Sequence, residues 1–233
     1  MLFNNLRTNA MNHESTVKSN QSASWNIIKS SHTLSGKPDE LEHYYEKWAK
    51  TYNRDVSNEQ YCGPKYIIDF LAKVSNKAGN HKKYSELEIL DAGCGTGLVG
   101  VVLQQQGYHT IDGCDLSDKM TKIAQKTGAY RALTEGVDLN QMITFKTNQY
   151  DVTISCGVFT LGHVPPLALE ELIRVTKPGG LVVITTRKSY YDSTDFQFVC
   201  DNLKNEGKIK VVDHVIGPYI AEEDAHYWAF KVC

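Results

Sequence analysis

The glycine-rich turn LDAGCGTGLVG, residues 90–100, constrains the fold of this chain more than any other stretch. It follows a short apolar run and opens a second one with helical character, so it predicts a strand, a tight turn and a helix. Gly93, Gly95 and Gly97 permit backbone conformations with positive φ and leave room for a ligand against the main chain. The free N–H groups at the start of the helix favour an electronegative ligand.

The alternation of strand and helix continues along the chain. Predicted strands cover residues 86–93, 109–116, 129–134, 150–157 and 179–186, and the helices between them cover 98–106, 117–127 and 167–176. Alternation of this kind predicts a parallel sheet with helices on both faces and a ligand site at the carboxyl ends of the strands.

The end of the chain departs from this alternation. After a helix at residues 196–205, the segments 209–220 and 225–233 both resemble strands, and only the acidic stretch 221–224 joins them. Since no helix fits between the two strands, they must pair antiparallel. The predicted fold class is therefore α/β, a Rossmann-like, mostly parallel sheet of seven strands that ends in an antiparallel hairpin.

Two segments are expected before the sheet. Residues 1–37 are rich in Ser and Asn and predict a weakly structured arm that can order as a lid, with Trp25, Ile27 and Ile28 as a docking anchor. The domain proper is expected at residues 38–233. It begins with a helix from Pro38 through residue 52, followed by a second helix at residues 64–75.

Composition excludes several classes of partner. The chain has 233 residues with 25 Lys and Arg against 27 Asp and Glu, so it lacks the basic excess expected for binding nucleic acid or an anionic membrane. The first 24 residues carry no apolar signal segment, and no run approaches the ~18 apolar residues of a membrane span. Six cysteines occur without CxxC spacing, so we expect reduced thiols, no zinc site and a cytoplasmic protein.

An acidic residue follows the second predicted strand, about twenty residues beyond Gly95. Asp115 stands where an acid accepts both hydroxyls of a ribose, a feature shared by binders of nicotinamide dinucleotides and of S-adenosylmethionine (SAM). The turn is GxGxG rather than GxGxxG because residue 98 is Leu, and Asp91 precedes it as an acceptor for an amino group. The chain also has no Tyr-x-x-x-Lys pattern where hydride transfer would need it. These residues favour SAM.

With these motifs, the chain from about residue 41 onward resembles the class I SAM-dependent methyltransferases. The matching stretches are ILDAGCGTG, DGCDLS, YDVTISCGVF and RVTKPGGLVVIT, and the closing hairpin fits the sheet of that class. Within the class, residues 111–120 and 157–187 are similar to the methyltransferase-like protein 27 group, named for the Williams-Beuren syndrome region.

The resemblance implies roles for individual residues around the cofactor. It implies that the methionine half contacts Asp91, Gly93, Gly95 and Gly97, and that Asp115 binds the ribose. The adenine would be contacted by Leu116, Met120, Asp138 and Leu139. Cys156 and Gly157 would form the floor beneath the sulfonium. The segment HYYEKWAKTYNRDV resembles the helix that closes over the cofactor, with Tyr45, Trp48 and Tyr52 as contacts. Asn53 stands there in place of the aspartate that is frequent in the class.

The acceptor site is expected in the loops that follow the fourth and fifth strands. His163 is the candidate for a catalytic base or for a donor that orients the substrate. Arg187 either pairs with a carboxylate of the acceptor or lies at a solvated strand end. The other candidate contacts to substrate are Phe159, Thr160, Tyr191 and Tyr219.

Transfer of the SAM methyl group to an N or O nucleophile of a small molecule, by in-line displacement without a metal, is the leading hypothesis for the function. A peptide methyltransferase and a non-catalytic SAM-binding module are the alternatives. The sequence leaves the acceptor, the methylated atom and the oligomeric state open.

Overall fold

A seven-stranded sheet forms the centre of the computed structural model, which describes residues 23–34, 36–78 and 82–233. The strands are β1 Glu88–Ala92, β2 Thr110–Cys114, β3 Ala132–Thr134, β4 Tyr150–Phe159, β5 Thr176–Arg187, β6 Ile209–Ile220 and β7 Glu223–Val232. Their order across the sheet is β3-β2-β1-β4-β5-β7-β6. The pairs among β1 to β5 are parallel, while β7 pairs antiparallel with both β5 and β6. The predicted fold class is confirmed.

Helices connect and flank these strands. They are α1 (residues 23–31), α2 Pro38–Trp48, α3 Tyr52–Asn58, α4 Gly63–Lys77, α5 Leu98–Gln105, α6 Asp118–Gln125, α7 Leu169–Val175, α8 Lys188–Ser193 and α9 Phe196–Asn205. No helix within the described ranges is both long enough and apolar enough to cross a membrane.

The central strands are buried on both faces. Along β5, Val182 and Ile184 pack into one apolar cluster, while Leu181 and Val183 pack into another on the opposite side of the sheet. Successive side chains of a strand point to opposite faces, so a continuous apolar run is what a doubly covered parallel sheet requires. The two clusters hold the sheet between its helices and leave its carboxyl edge free for loops.

The helix predicted from Pro38 through residue 52 is interrupted. The helix α2 ends at Trp48 and α3 starts at Tyr52. A hydrogen-bonded cluster stabilises the break, because Trp48 Nε1 and Thr51 Oγ1 both donate to Asp55 Oδ2, at 2.9 and 2.7 Å. The change of direction leaves side chains of both helices at the carboxyl edge of the sheet.

Part of the predicted arm is an ordered helix on the domain surface. In α1, Ile28 is buried, and Trp25 and Ile27 pack partly buried against the same apolar cluster. The hydroxyl of Tyr44 in α2 donates to the carbonyl oxygen of Ile27. Residues 1–22 of the predicted arm lie outside the described residues, and the domain boundary at residue 37 stays a prediction.

Candidate active site

A cavity of about 700 Å³, including its open mouth, lies over the carboxyl ends of β1, β2 and β4; we call it the first cavity. Most of the residues predicted to contact a cofactor line it: Tyr45, Tyr52, Gly93, Gly95, Asp115, Leu116, Met120, Asp138, Leu139, Cys156 and Gly157. Five further lining residues carry no sequence signal for a cofactor site, namely Leu41, Val137, Asn140, Val158 and Val164.

The glycines of the turn serve different purposes. Gly95 has φ of 53°, and a Cβ atom added there would meet no atom within 4 Å, so this position faces open space. Gly97 has φ of 89°, and a Cβ atom there would lie 3.1 Å from Ala124 Cα in α6. Gly95 therefore exposes main chain to a ligand, whereas Gly97, which does not line the cavity, allows close packing of the turn against a helix.

Asp115 is oriented by main-chain donors. Its Oδ2 accepts from Gly95 N at 2.8 Å and its Oδ1 accepts from Ser117 N at 2.9 Å. Burial raises the pKa of Asp115, and the hydrogen bonds from Ser117 and Gly95 partly offset that effect. The carboxylate is thus held beside the glycine turn with lone pairs left for a ligand.

Asp91 lies fully buried beneath the turn, outside the lining of the first cavity. Its Oδ2 accepts from Tyr130 Oη at 2.7 Å, whereas its Oδ1 has no hydrogen-bond partner within the described residues. Burial raises the pKa of Asp91 to about 7. A buried carboxylate oxygen without a partner destabilises the folded protein. A ligand that brings a cationic or N–H donor to this turn would therefore bind favourably.

His163 faces the first cavity and is bonded to Tyr45. Its Nδ1 lies 2.9 Å from the carbonyl oxygen of Leu161, which only accepts, so Nδ1 carries the hydrogen. Nε2 is then the acceptor for Tyr45 Oη, 2.6 Å away. Burial lowers the pKa of His163 to about 4, with a smaller contribution from the positive charge of Arg187. The ring is therefore neutral at pH 7, and its accepting nitrogen is directed at a cavity-lining hydroxyl.

A second cavity, of about 380 Å³, adjoins the first and shares Tyr45, Tyr52 and Gly157 with it. The rest of its lining comes from widely separated segments: Ile28, Ser31, His32, Trp48, Val56, Tyr61, Thr160, Arg187, Tyr219 and Ile220. Trp48, predicted to contact the cofactor, lies here and not in the first cavity. Thr160 and Tyr219, predicted to contact the acceptor, also lie here.

Arg187 is buried, which excludes the interpretation as a solvated strand end. Its Nε donates to Glu223 Oε2 at 2.7 Å, and its Nη1 donates to His32 Nε2, also at 2.7 Å. Burial and the charge of Arg187 lower the pKa of His32 to about 3, so this ring is neutral and accepts from Arg187. Burial raises the pKa of Glu223, but Arg187 and Ser189 reverse the effect and hold it below its usual value.

Two of the predicted acceptor contacts lie away from both cavities. Phe159 is buried in the core, where its ring packs edge-on against Tyr190 and Phe196. Tyr191 stacks on His226 with the ring centroids 4.1 Å apart. The register of β4 shifts between Ser155 and Phe159, and such an irregularity changes which side chains face the site.

Some residues of the site carried no recognisable sequence signal. His32 and Glu223 reach Arg187 from opposite ends of the chain, and Tyr130 reaches Asp91 from the segment just before β3. Asn53, which replaces the frequent aspartate, accepts from Thr96 Oγ1 of the glycine turn at 2.6 Å. The substitution therefore preserves a link between α3 and the turn.

Two further features limit the chemistry. Burial raises the pKa of Cys156 to about 12, so this thiol, which lines the first cavity, stays protonated. In the part of the chain that the structure describes, no group of three or more His, Cys, Asp or Glu side chains is arranged to hold a metal ion.

The glycine turn, the acid after β2 and the sheet order are those of the class I methyltransferase fold. Residues 90–184 match the family model described as "Methyltransferase domain", and the predicted resemblance is confirmed. Human methyltransferase-like protein 27 is 37% identical over 145 residues, which cover 62% of this chain and 57% of that protein.

Other relatives and solved structures agree with this class. The malonyl-[acyl-carrier protein] O-methyltransferase of Halalkalibacterium halodurans is 32% identical over 171 residues, covering 70% of this chain and 61% of that enzyme. In both relatives the matched stretch is under two thirds of the relative's length.

The fold recurs in solved structures at low identity. A TehB-like SAM-dependent methyltransferase from Corynebacterium glutamicum superposes with a TM-score of 0.55 at 21% identity, over 84% of this chain and all of that one. Magnesium protoporphyrin IX methyltransferase from Synechocystis, solved with bound SAH, gives 0.54 at 16% identity, over 72% of this chain and 83% of that one.

Proposed function

We propose that this protein binds SAM in the first cavity and transfers its methyl group to an N or O nucleophile of a small molecule. The observation that carries the proposal is the junction of the two cavities. The glycine turn and Asp115 line only the first cavity, while Tyr45, Tyr52 and Gly157 belong to both. A cofactor and an acceptor bound in the two spaces would meet at these residues.

The residues of the first cavity, together with the buried Asp91 beneath its glycine turn, fit SAM. The buried Asp91 Oδ1 without a partner suits an ammonium group, Gly95 admits a ligand against the main chain, and Asp115 suits the two hydroxyls of a ribose. Leu116, Met120 and Leu139 supply apolar contacts for an adenine ring. When bound, SAM supplies a methyl group on a sulfonium, which is activated for displacement without a metal.

The protein's own contribution is positioning and proton transfer. Aligning a nucleophile with the methyl group accounts for up to ~7–11 kcal/mol of barrier lowering in favourable intramolecular reactions. The Tyr45 hydroxyl lines both cavities and donates to His163 Nε2. A nucleophile that arrives protonated donates to Tyr45 Oη, and Tyr45 passes its own proton to the neutral His163. His163 thus acts as the base through Tyr45.

We further propose that the segment of residues 23–34 is the lid of the site. A Cβ atom added to Gly162 would lie 2.8 Å from the carbonyl oxygen of Leu34 and 3.0 Å from those of His32 and Ser31. The segment therefore lies directly on the loop that carries His163. Covering this edge excludes water from the junction of the cavities, as methyl transfer requires.

The size of the second cavity supports a small acceptor. Its space of about 380 Å³, open mouth included, is about half that of the first cavity, about 700 Å³. Some relatives carry names of enzymes with small acceptors, such as demethylmenaquinone methyltransferase of Streptomyces avermitilis. The near balance of 25 basic and 27 acidic side chains gives no support to a nucleic-acid acceptor. A cytoplasmic location remains a prediction.

Calorimetric titration with SAM, SAH and NADH tests the cofactor assignment. We expect micromolar binding of SAM and SAH, no binding of NADH, and a loss of about 100-fold in affinity in Asp115→Ala because a charged acceptor for two hydroxyls is removed. Asp201→Ala, an exposed acid on α9, is the matched control and should bind normally.

The outcomes separate the alternatives. NADH binding without SAM binding would overturn the proposal. Binding of SAM followed by acceptor-dependent release of SAH would establish an enzyme, and a comparison of small acceptors with peptides would separate the two enzyme classes. SAM binding with no turnover on either class would favour the non-catalytic module.

A further inference from the structure

The second cavity contains two buried polar groups whose hydrogen bonding is incomplete. Thr160 Oγ1 has no hydrogen-bond partner within the described residues, and Thr160 is 4% exposed. Arg187 Nη2 lies 2.6 Å from Glu223 Oε2 as an ion pair, yet it makes no well-directed hydrogen bond in the described part of the chain. Both residues line the second cavity. Groups of this kind usually have a partner, so they point to a ligand.

The charge in this cavity is one-sided. Arg187 is the one charged side chain among the described residues that line the second cavity. Its partner Glu223 bonds to the guanidinium but does not line the cavity. His32, the other titratable base, already accepts from Arg187. No Asp or Glu is among the lining residues that the structure describes. A ligand in this space therefore meets a positive charge without a competing carboxylate.

The remaining polar groups of the wall are mainly hydroxyl donors. The hydroxyls of Tyr61 and Tyr219 lie 3.4 Å apart, and Tyr61 Oη is 3.4 Å from Cys156 Sγ. An aromatic enclosure of this type also suits a cationic ligand. The adjacent Arg187 disfavours an ammonium group, whereas it favours an anion with two acceptor oxygens.

We infer that the methyl acceptor carries a carboxylate, which binds in the second cavity between the Arg187 guanidinium and the Thr160 hydroxyl. Glu223 and His32 act as positioning residues, since they hold the guanidinium in one orientation. The inference rests on the proposed function, because it names the substrate class for the same site. The small volume of the cavity restricts the acceptor to short aliphatic and single-ring acids.

A matched ligand panel tests this inference. Aliphatic acids from acetate to hexanoate, benzoate, phenylacetate and hydroxybenzoates are titrated into the SAH complex, each beside its primary amide and the corresponding amine. We expect at least one acid to bind saturably and its amide and amine to bind at least tenfold more weakly. Acceptor activity is then measured with SAM for the acids that bind.

Two variants link the preference to the named residues. Thr160→Val keeps the shape of the side chain and should weaken binding of the acid about tenfold, because it removes one donor to a charged group. Thr110→Val is the control. Thr110 is the first residue of β2, at the amino ends of the parallel strands, so this variant should bind the acid normally. The double variant R187M/E223M removes the ion pair as a unit and should abolish the preference for acid over amide.

Each outcome decides the inference separately from the proposed function. Absence of SAH binding to the unchanged protein would defeat the proposed function itself. Normal SAH binding with no saturable binding of any acid would overturn the carboxylate inference alone. Equal or tighter binding of amides or amines would overturn it too, as would an acid preference that persists in a folded R187M/E223M that binds SAH.

Discussion

The two cavities that meet at Tyr45 and Gly157 are built in different ways. The first is lined largely by loops that directly follow strands, and its central elements are the main chain at Gly95 and the carboxylate of Asp115. The second is lined by side chains from α1, α2, α3, β5 and β6. Recognition in the first cavity thus rests on backbone geometry, and in the second on side chains brought together by folding.

Their electrostatics differ in the same way. The carboxylate of Asp115 makes the first cavity a site for hydrogen-bond donors of a ligand. Asp91 adds a buried acid beneath the glycine turn. The guanidinium of Arg187 makes the second cavity a site for hydrogen-bond acceptors of a ligand. Burial raises the pKa of both acids, whereas Arg187 is held in an ion pair with Glu223. Separate binding surfaces of opposite sign suit two ligands of different charge.

The largest expected effect concerns the ion pair of the second cavity. Arg187→Met alone should lower the free energy of unfolding by about 3–5 kcal/mol, because it removes a buried guanidinium and leaves the partly buried Glu223 without its ion-pair partner. R187M/E223M should lower it much less, since no unpaired charge remains. Urea unfolding measures both. Lys188→Met, which breaks an exposed pair with Asp192, should leave the free energy of unfolding nearly unchanged. Equal losses in the single and double variants would show that packing, not charge, holds this region.

The next effect is a pH dependence of stability from His163. The pKa of His163 is lowered to about 4 in the folded state, so the unfolded chain binds the proton first as the pH falls below about 6.5. Stability is lost between about pH 6.5 and 4. His163→Asn keeps a donor to the Leu161 carbonyl but has no group that titrates in this range. On going from pH 7 to pH 4.5, its free energy of unfolding should therefore fall by about 2–3 kcal/mol less than that of the unchanged protein. Urea unfolding at the two pH values checks it, and identical losses would contradict the neutral buried imidazole.

A smaller effect compares two glycines with positive φ. Gly95 and Gly107 have φ of 53° and 90°, and a Cβ atom at either would meet no atom within 4 Å. Alanine at each should cost about 1–2 kcal/mol of stability through backbone strain. Only Gly95→Ala should also weaken SAH binding, by tenfold or more, since Gly107 does not line the first cavity. Unchanged SAH affinity in Gly95→Ala would place the ligand away from this turn.

The smallest effect tests the contact at the junction of the cavities. Tyr45→Phe removes the donor to His163 Nε2 and should cost about 1 kcal/mol at pH 7. Loss of a bond to the neutral ring should also raise the pKa of His163, which an NMR titration of the imidazole measures. Tyr44→Phe, on the same helix but bonded to the Ile27 carbonyl, should leave that pKa unchanged. An unchanged pKa in Tyr45→Phe would place the Tyr45 hydroxyl elsewhere.

The accuracy of the sequence analysis differed between regions. Residues 209–220 were predicted as a strand and form β6 with those bounds, because a hairpin is a local structure. The helix from Pro38 through residue 52 was predicted as continuous and is broken. Its break depends on Asp55, which accepts from Trp48 and Thr51, and helical periodicity carries no information about such side-chain bonds.

The positions of Phe159 and Thr160 illustrate a second limit. Both were predicted to flank the acceptor site, yet Phe159 lies in the core and Thr160 lines the second cavity. The register shift at the end of β4 contains Gly157, whose φ is 84°. One residue of register exchanges the two faces of a strand, so a bulge of this kind reverses an assignment made from alternation alone.

What the sequence determined by itself is local: the alternation of strands and helices, the glycine turn and the acid that follows β2. These features depend on residues close together in the chain, where periodicity and spacing carry the information. The tertiary structure alone decided the second cavity. Arg187 and His32 are 155 positions apart, and Glu223 approaches from the hairpin. The sequence signals neither contact, because burial and long-range pairing bring these groups together only in the folded chain.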